Sequence, residues 1–266
     1  MLTPMHDDDI RDDDLRALLA DVAAGRTTVD EAADGLALLG LTQVGDFARL
    51  DLGRARRKGV PEIVFGDGKS VEQFAAIVTA FLSRATSVLA SKVSPEQAAA
   101  VAAPPDGAVV WHERARLLVV RRGDHRPAPA RGVVGVLAGG TSDTGVADEA
   151  AIVCREMGVE VLTAYDVGVA GVHRLAAPLS KMVDAGAGAL VVAAGMEGAL
   201  PSVVCGLVEV PVIGLPVATG YGLGGHGEAA LLGMLQSCSP GLTVVNIDNG
   251  VGAGVTAALI ARGAAR

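Results

Sequence analysis

The sequence predicts an α/β protein: a three-layer parallel sheet in its second half, preceded by a smaller mixed α+β domain. Three observations point to this. From Gly132 onward, short β-branched runs alternate with helical stretches of roughly ten to fifteen residues. Those runs are continuously apolar, the pattern of strands buried on both faces of a parallel sheet. Glycine stands at 35 residues while aromatics make up only 3%, and small side chains let helices lie close on a sheet.

In chain order, residues 1–11 read as disordered, and residues 1–28 as a flexible or helical tail. From Asp12 to about Leu39 the pattern is helical, with Leu15, Leu18, Leu19 and Val22 on one face. Thr28 to Glu31 reads as a capping box that starts a second helix. Residues 29–120 form the smaller domain. It holds a cationic segment from Asp51, a short strand Glu62–Phe65, a Gly-Asp-Gly turn, and an amphipathic helix from Val71 to Ser83. A helix over Pro95–Ala103 and a strand near Val109-Val110 follow. The charged, Pro-rich stretch 121–131 has no apolar periodicity and reads as a linker. Residues 132–266 are the parallel α/β domain, with strands expected at Val133–Leu137, Val159–Ala164, Ala189–Ala193, Val212–Leu215 and Thr243–Ile247.

Bulk charge narrows the function. With 22 basic and 30 acidic residues the formal charge is -8, which repels phosphate backbones and speaks against nucleic acid as a partner. The acid-rich start lacks the features of a signal peptide, and no stretch reaches membrane-spanning length uninterrupted, so a cytoplasmic protein off the membrane is expected. Cys154, Cys205 and Cys238 have no paired short spacing, which argues against a disulfide framework or a zinc site. Cys154 and Cys205 lie in apolar helical runs and read as buried structural thiols. Cys238 sits in the polar break Ser237-Cys238-Ser239-Pro240-Gly241, where reactivity and inertness are evenly matched.

In open parallel sheets ligands lie beyond the carboxyl ends of the strands, and the polar, Gly-rich residues cluster there. After the first strand come Gly139, Gly140, Thr141, Ser142 and Asp143, at a helix N-terminus where helix capping competes with ligand contact. After the second come Tyr165-Asp166 and the His173-Arg174 pair. After the third, Gly195, Met196 and Glu197 form a turn, and a carboxylate there suits proton transfer. After the fourth, Thr219 to Glu228 carries Tyr221 and many glycines, yet fits neither GxGxxG nor a P-loop. The last strand runs into Asn246, Asp248 and Asn249, which either cap a helix or touch a ligand.

GGTSD, GVHRL and AAGMEGALP resemble motifs of PurE, the aminoimidazole ribonucleotide carboxylase. At the position of the PurE catalytic histidine this chain has Ala199. The closer resemblance is to the LarB family, pyridinium-3,5-biscarboxylic acid mononucleotide synthases of nickel-pincer cofactor synthesis. GVPEIVFGDGKS, YDVGVAGVHRL, GMEGALPSVV, GYG, SC and VNIDNGVGAG all look like LarB segments in the family's order, from about Asp51 to Ile260.

This resemblance implies a carboxylase and hydrolase that takes nicotinic acid adenine dinucleotide and CO2 or bicarbonate to the dicarboxylated mononucleotide and AMP. The family's nucleophilic cysteine falls on Cys238. Glu197 and Asp143 become candidates for handling the C5 proton and holding the ring. Gly140, Thr141, Ser142, Asp166, Gly195, Met196, Tyr221, Asn246, Asp248 and Asn249 become candidate substrate contacts, with His173 and Arg174 facing phosphate. Arg54, Arg57 and Lys69 become candidates for the diphosphate or AMP part. Phosphoanhydride hydrolysis usually wants Mg2+, but no carboxylate cluster identifies its site; no organic cofactor is implied. A large homo-oligomer, an octamer by resemblance, is expected. The alternatives are a PurE-type carboxylase or mutase and a non-catalytic nucleotide-binding protein.

Overall fold

The computed structural model describes residues 12–38, 41–44, 47–51, 54, 58–83, 85–127 and 129–265. The expectations for residues 1–11 and for Arg57 lie outside these. Two helices open the described chain, α1 (Asp12–Ala23) and α2 (Val29–Leu38). The capping box between them forms as read: the Glu31 N–H donates to Thr28 Oγ1 at 3.2 Å, and the Thr28 N–H to Glu31 Oε2 at 2.9 Å. An antiparallel hairpin of β1 (Leu41–Val44) and β2 (Ala48–Asp51) follows, unannounced by any apolar periodicity.

The next sheet contains β3 (Ile63–Phe65), β4 (Ser87–Ser91), β5 (Ala108–His112) and β6 (Leu117–Arg121), in the order β3-β4-β6-β5. β3 pairs parallel to β4 and the other pairs are antiparallel. Helix α3 (Val71–Leu82) starts at a second capping box, Ser70 with Gln73, and buries Phe74, Ile77, Val78 and Phe81. That spacing makes one helical stripe, and it packs on Val88, Ala90, Leu118 and Val120. Helix α4 stops at Pro95–Ala99, short of the expected Ala103, and the chain runs irregularly to Pro104-Pro105.

Successive side chains of a strand face opposite ways, and β6 uses both faces. Leu118 and Val120 enter the core under α3, while Leu117 and Val119 enter a second core built with the rest of the chain. The irregular connection covers residues 122–132, because β6 extends through Arg121.

Beyond it, β7 (Val133–Ala138), α5 (Thr144–Glu156), β8 (Glu160–Ala164), α6 (Ala176–Asp184), β9 (Ala187–Ala194), α7 (Ala199–Cys205), β10 (Val212–Pro216), α8 (Glu228–Leu235), β11 (Leu242–Val244) and α9 (Gly250–Ala264) alternate. All five strands are parallel, in the order β8-β7-β9-β10-β11. Helices α5 and α9 cover one face; α6, α7 and α8 cover the other. The expected α/β three-layer class is what the chain adopts. The last strand pairs over only three residues, so Asn246 to Asn249, expected partly in strand, turn away from the sheet. The smaller sheet is fixed to α5 by three ion pairs: Lys92–Glu149 (3.1 Å), Arg114–Asp148 (2.5 Å) and Arg121–Glu156. Among the described residues no helix is long and apolar enough to cross a membrane.

Candidate active site

β7 lies between β8 and β9, so the chain leaves it toward one side of the sheet and later returns on the other. The loops after β7 and β9 therefore part at a topological switch point, where open α/β sheets leave a crevice. A cavity of about 570 Å³ occupies that crevice, within the usual range for small-ligand sites. Gly139, Gly140, Ser142 and Asp143 form one wall; Gly195, Met196, Glu197 and Ala199 form the other.

Asp143 joins these walls. Only 5% of its surface is exposed, and its Oδ2 accepts the Gly140 N–H at 2.9 Å. The Gly195 N–H on the opposite loop also donates to it. It stands at the start of α5 yet makes no capping bond to that helix. Its carboxyl caps the short 3-10 turn Thr141–Asp143 that leads into α5, rather than α5 itself, and also meets the loop after β9. Burial pushes its pKa above the ordinary carboxyl value, the two backbone donors pull it down, and the charge of Asp248 raises it further.

The facing turn is held by backbone. The Met196 N–H donates to the Thr219 carbonyl at 3.0 Å, and the Gly198 N–H to the Gly195 carbonyl at 3.0 Å. A Cβ on Gly195 would stand 2.2 Å from the Thr219 oxygen, so only glycine fits. Gly198 takes a left-handed φ of 65°, which turns the chain into α7 and leaves Glu197 exposed on the cavity rim. Ala199 puts a methyl group on the wall where an imidazole would otherwise reach in.

Several expected residues gather here. Arg174 lines the cavity and donates to Asp166 Oδ2 at 2.6 Å, so Asp166 acts on the site through the arginine. Tyr221 is 82% exposed and stands at the mouth. Thr141 and His173 are exposed and do not line this cavity. Thr219 and Val169 line it unannounced; both follow strand ends, the one signal that marks them.

Other expected residues gather elsewhere. Asn246, Asp248 and Asn249 line a second cavity of about 940 Å³, with Arg54, Lys58, Lys92 and Arg116 from the N-terminal region. Asp248 Oδ1 accepts the Ala218 N–H at 2.9 Å, and Asn249 caps α9 by accepting the Gly252 N–H at 2.8 Å. Arg54 pairs with Glu62 at 2.9 Å. Lys69 is outside both cavities, with its ammonium 6.0 Å over the Phe65 ring.

The thiols divide as read for two of them. Cys154 is buried, its sulfur 3.2 Å from the Gly254 carbonyl, and burial pushes its pKa up to about 12. Cys205 is buried with its sulfur 3.3 Å from the Pro240 carbonyl. Cys238 is exposed, in the connection from α8 into β11. Helix-to-strand connections of a parallel sheet lie at the edge opposite the strand ends, so Cys238 is not part of its own chain's crevice and lines neither cavity. Its loop is anchored: Ser202 and Ser237 hydroxyls bond at 2.8 Å, and Ser239 donates to the Ser202 carbonyl at 3.0 Å. Among the described residues no cluster of three His, Cys, Asp or Glu side chains assembles to hold a metal ion.

Residues 41–122 match the model of the LarB/PurE-like N-terminal domain, and residues 133–265 match that of AIR carboxylase. The chain is 39% identical to an uncharacterized protein of Methanocaldococcus jannaschii over 257 residues, covering 93% of this chain and 97% of the relative. It is 34% identical to the N5-carboxyaminoimidazole ribonucleotide mutase of the same organism over 125 residues, 46% of this chain and 74% of that enzyme. A crevice walled by a Ser-Asp loop and a Gly-rich turn, on a sheet fused to that N-terminal domain, follows this division of the chain. The protein belongs to the LarB family, whose C-terminal half is a PurE-like domain of carboxylase type.

Proposed function

We propose that the protein carboxylates the pyridinium ring of nicotinic acid adenine dinucleotide at C5 and hydrolyses its phosphoanhydride, releasing AMP and a dicarboxylated mononucleotide. The observation that carries this reading is the crevice itself. Glu197 and Asp143 face it while Ala199 withholds the imidazole of a PurE-type site, and the LarB-type domain adjoins it.

A pyridinium ring is electron-poor and does not attack CO2. Addition of a thiolate at C4 moves an electron pair to the ring nitrogen and makes C5 an enamine carbon. C5 then bonds to CO2, leaving an iminium and a hydrogen on tetrahedral C5. A base takes that proton, and expulsion of the thiolate from C4 restores the aromatic cation. Glu197 is the base in this scheme, because it is exposed at the rim and its oxygens are not claimed by the loops. Asp143, committed to Gly140 and Gly195, orients the walls against the ring. Ser142 and the backbone N–H groups beside it take the ring carboxylate, and Arg174 takes phosphate.

Cys238 supplies the thiolate, and it comes from a neighbouring copy. Its loop lies away from its own crevice and follows α8, which leaves Leu232 and Leu235 more than 60% exposed. Such a face suits subunit contact, in a homo-oligomer of the size that the resemblance implies.

Incubation with nicotinic acid adenine dinucleotide and bicarbonate should yield AMP and the dicarboxylated mononucleotide by mass spectrometry. Turnover of an aminoimidazole ribonucleotide without that product would overturn the reading. Cys238→Ala and Glu197→Gln should each lose carboxylation by at least about a hundredfold, the lower bound for removing a positioned acid–base group. Oligomers reassembled from a mixture of the two variants should regain part of it. No recovery in a verified mixed assembly would return Cys238 to its own chain or remove it from the chemistry.

A further inference from the structure

The second cavity has no role in the carboxylation scheme, yet it is not isolated from the first. A narrow trough of about 290 Å³ shares Ser142 and Thr219 with the first cavity, and Lys92, Arg116 and Asp248 with the second. The three cavities thus adjoin one another, from the switch point to the junction of the two sheets. A dinucleotide has two halves to place, and two adjoining cavities offer a place for each.

We infer that the second cavity is the subsite for the nucleoside monophosphate half of the substrate, the half that departs as AMP. This rests on the dinucleotide reading above and assigns it a place. Three observations carry it. The Phe65 ring is 53% exposed and faces this cavity beside Val60 and Ile63, in a chain with only four phenylalanines. The ring carries the Lys69 ammonium 6.0 Å from its centroid, and a half-exposed ring beside a cation and aliphatic side chains is a platform for a flat base. Arg54, Lys58 and Arg116 bring three cations to the same space, and α9 presents its first turn there through Val251 and Gly252.

The third observation is the present partner of Arg116. Its Nη2 donates to Asp67 Oδ1 at 2.7 Å, with the two side chains 48% and 51% exposed. Exposed pairs of this kind contribute little, so a phosphate, offering more charge and more acceptors, displaces Asp67 readily. The carboxylate marks where an anionic ligand sits. The buried Lys92–Glu149 pair forms the floor: Lys92 Nζ also donates to the Asp248 carbonyl at 2.9 Å, holding the loop between the two cavities.

The test titrates the whole protein with AMP and, separately, with nicotinic acid mononucleotide, by calorimetry. Phe65→Ser changes an exposed ring and should weaken AMP binding about tenfold, leaving the mononucleotide unaffected. Asp67→Asn removes the competing carboxylate and should tighten AMP binding about threefold. Equal AMP affinity in all three proteins, or no AMP binding at millimolar concentration, would sink the inference. The two proposals fail separately. AMP titrations that shift as stated without carboxylation of the dinucleotide would retire the reaction and keep the subsite. Carboxylation with unshifted titrations would do the reverse.

Discussion

Asp143 is the residue on which the crevice depends, and its raised pKa makes that dependence measurable. Its folded value lies above the ordinary 3.8, with burial as the main cause. The native protein then holds a proton that the unfolded chain has released. The stability contributed by protonated Asp143 is fully present below pH 3.8 and is lost as pH rises through the folded value. Denaturant titrations across that window should show the wild type losing stability with rising pH relative to Asp143→Asn, which has no such proton. Parallel curves would mean that Asp143 titrates as a solvated carboxylate and does not join the loops. Much at this scale was legible in the sequence. Gly140, Ser142, Asp143, Gly195 and Glu197 follow strand ends, so reading the strands places them. Lys92 and Arg116 were not legible, because Lys92 reaches Asp248 across more than a hundred residues and Arg116 reaches Asp67 across 49, and no local period records either. Cys238 was legible as a distinctive thiol, but its edge of the sheet depends on where α8 ends.

Among the elements, α5 and α9 show how small side chains set geometry. A Cβ on Gly254 would come within 2.6 Å of the Ala150 carbonyl oxygen and 3.1 Å of the Ala150 Cα. That contact is backbone, which cannot swing aside as a flexible side chain does. Gly254→Val should therefore push α9 off α5 and cost about 1–3 kcal/mol in chemical denaturation, as overpacking does. Val255→Ala, on a half-buried neighbour, should cost less; a Gly254→Val protein as stable as wild type would show that the helices are free to part. The parallel strands declared themselves because apolar runs between helices have few other meanings. β1, β2, β4 and β6 did not, since each is four or five residues long with no helix pattern on both sides to mark it as a strand. The four-residue Leu-Leu-Val-Val run of β6 reads equally as helix or strand until both of its faces are seen to be buried.

The two regions matched by separate family models share one core. Leu89, Leu117 and Val119 share a core with Val153, Ala253 and Ala257, and Glu149 is fully buried with its charge met by Lys92 and the Ser91 hydroxyl, both from the smaller sheet. Removing one partner of a buried pair typically costs 3–5 kcal/mol. Protease nicking within residues 122–132 should therefore leave two fragments that co-elute as one particle and melt together. Fragments that separate without denaturant would show that the junction is weak.

The same shared core limits how the chain can be divided. A sheet that served only as a detachable cover would leave the carboxylates of α5 open to solvent. Glu149 is instead fully buried, and its side-chain partners Lys92 and Ser91 both come from the smaller sheet. Cutting the sheet away would leave Glu149 without Lys92 and Ser91 and bare the shared core, so neither half is expected to be obtained alone as a folded piece.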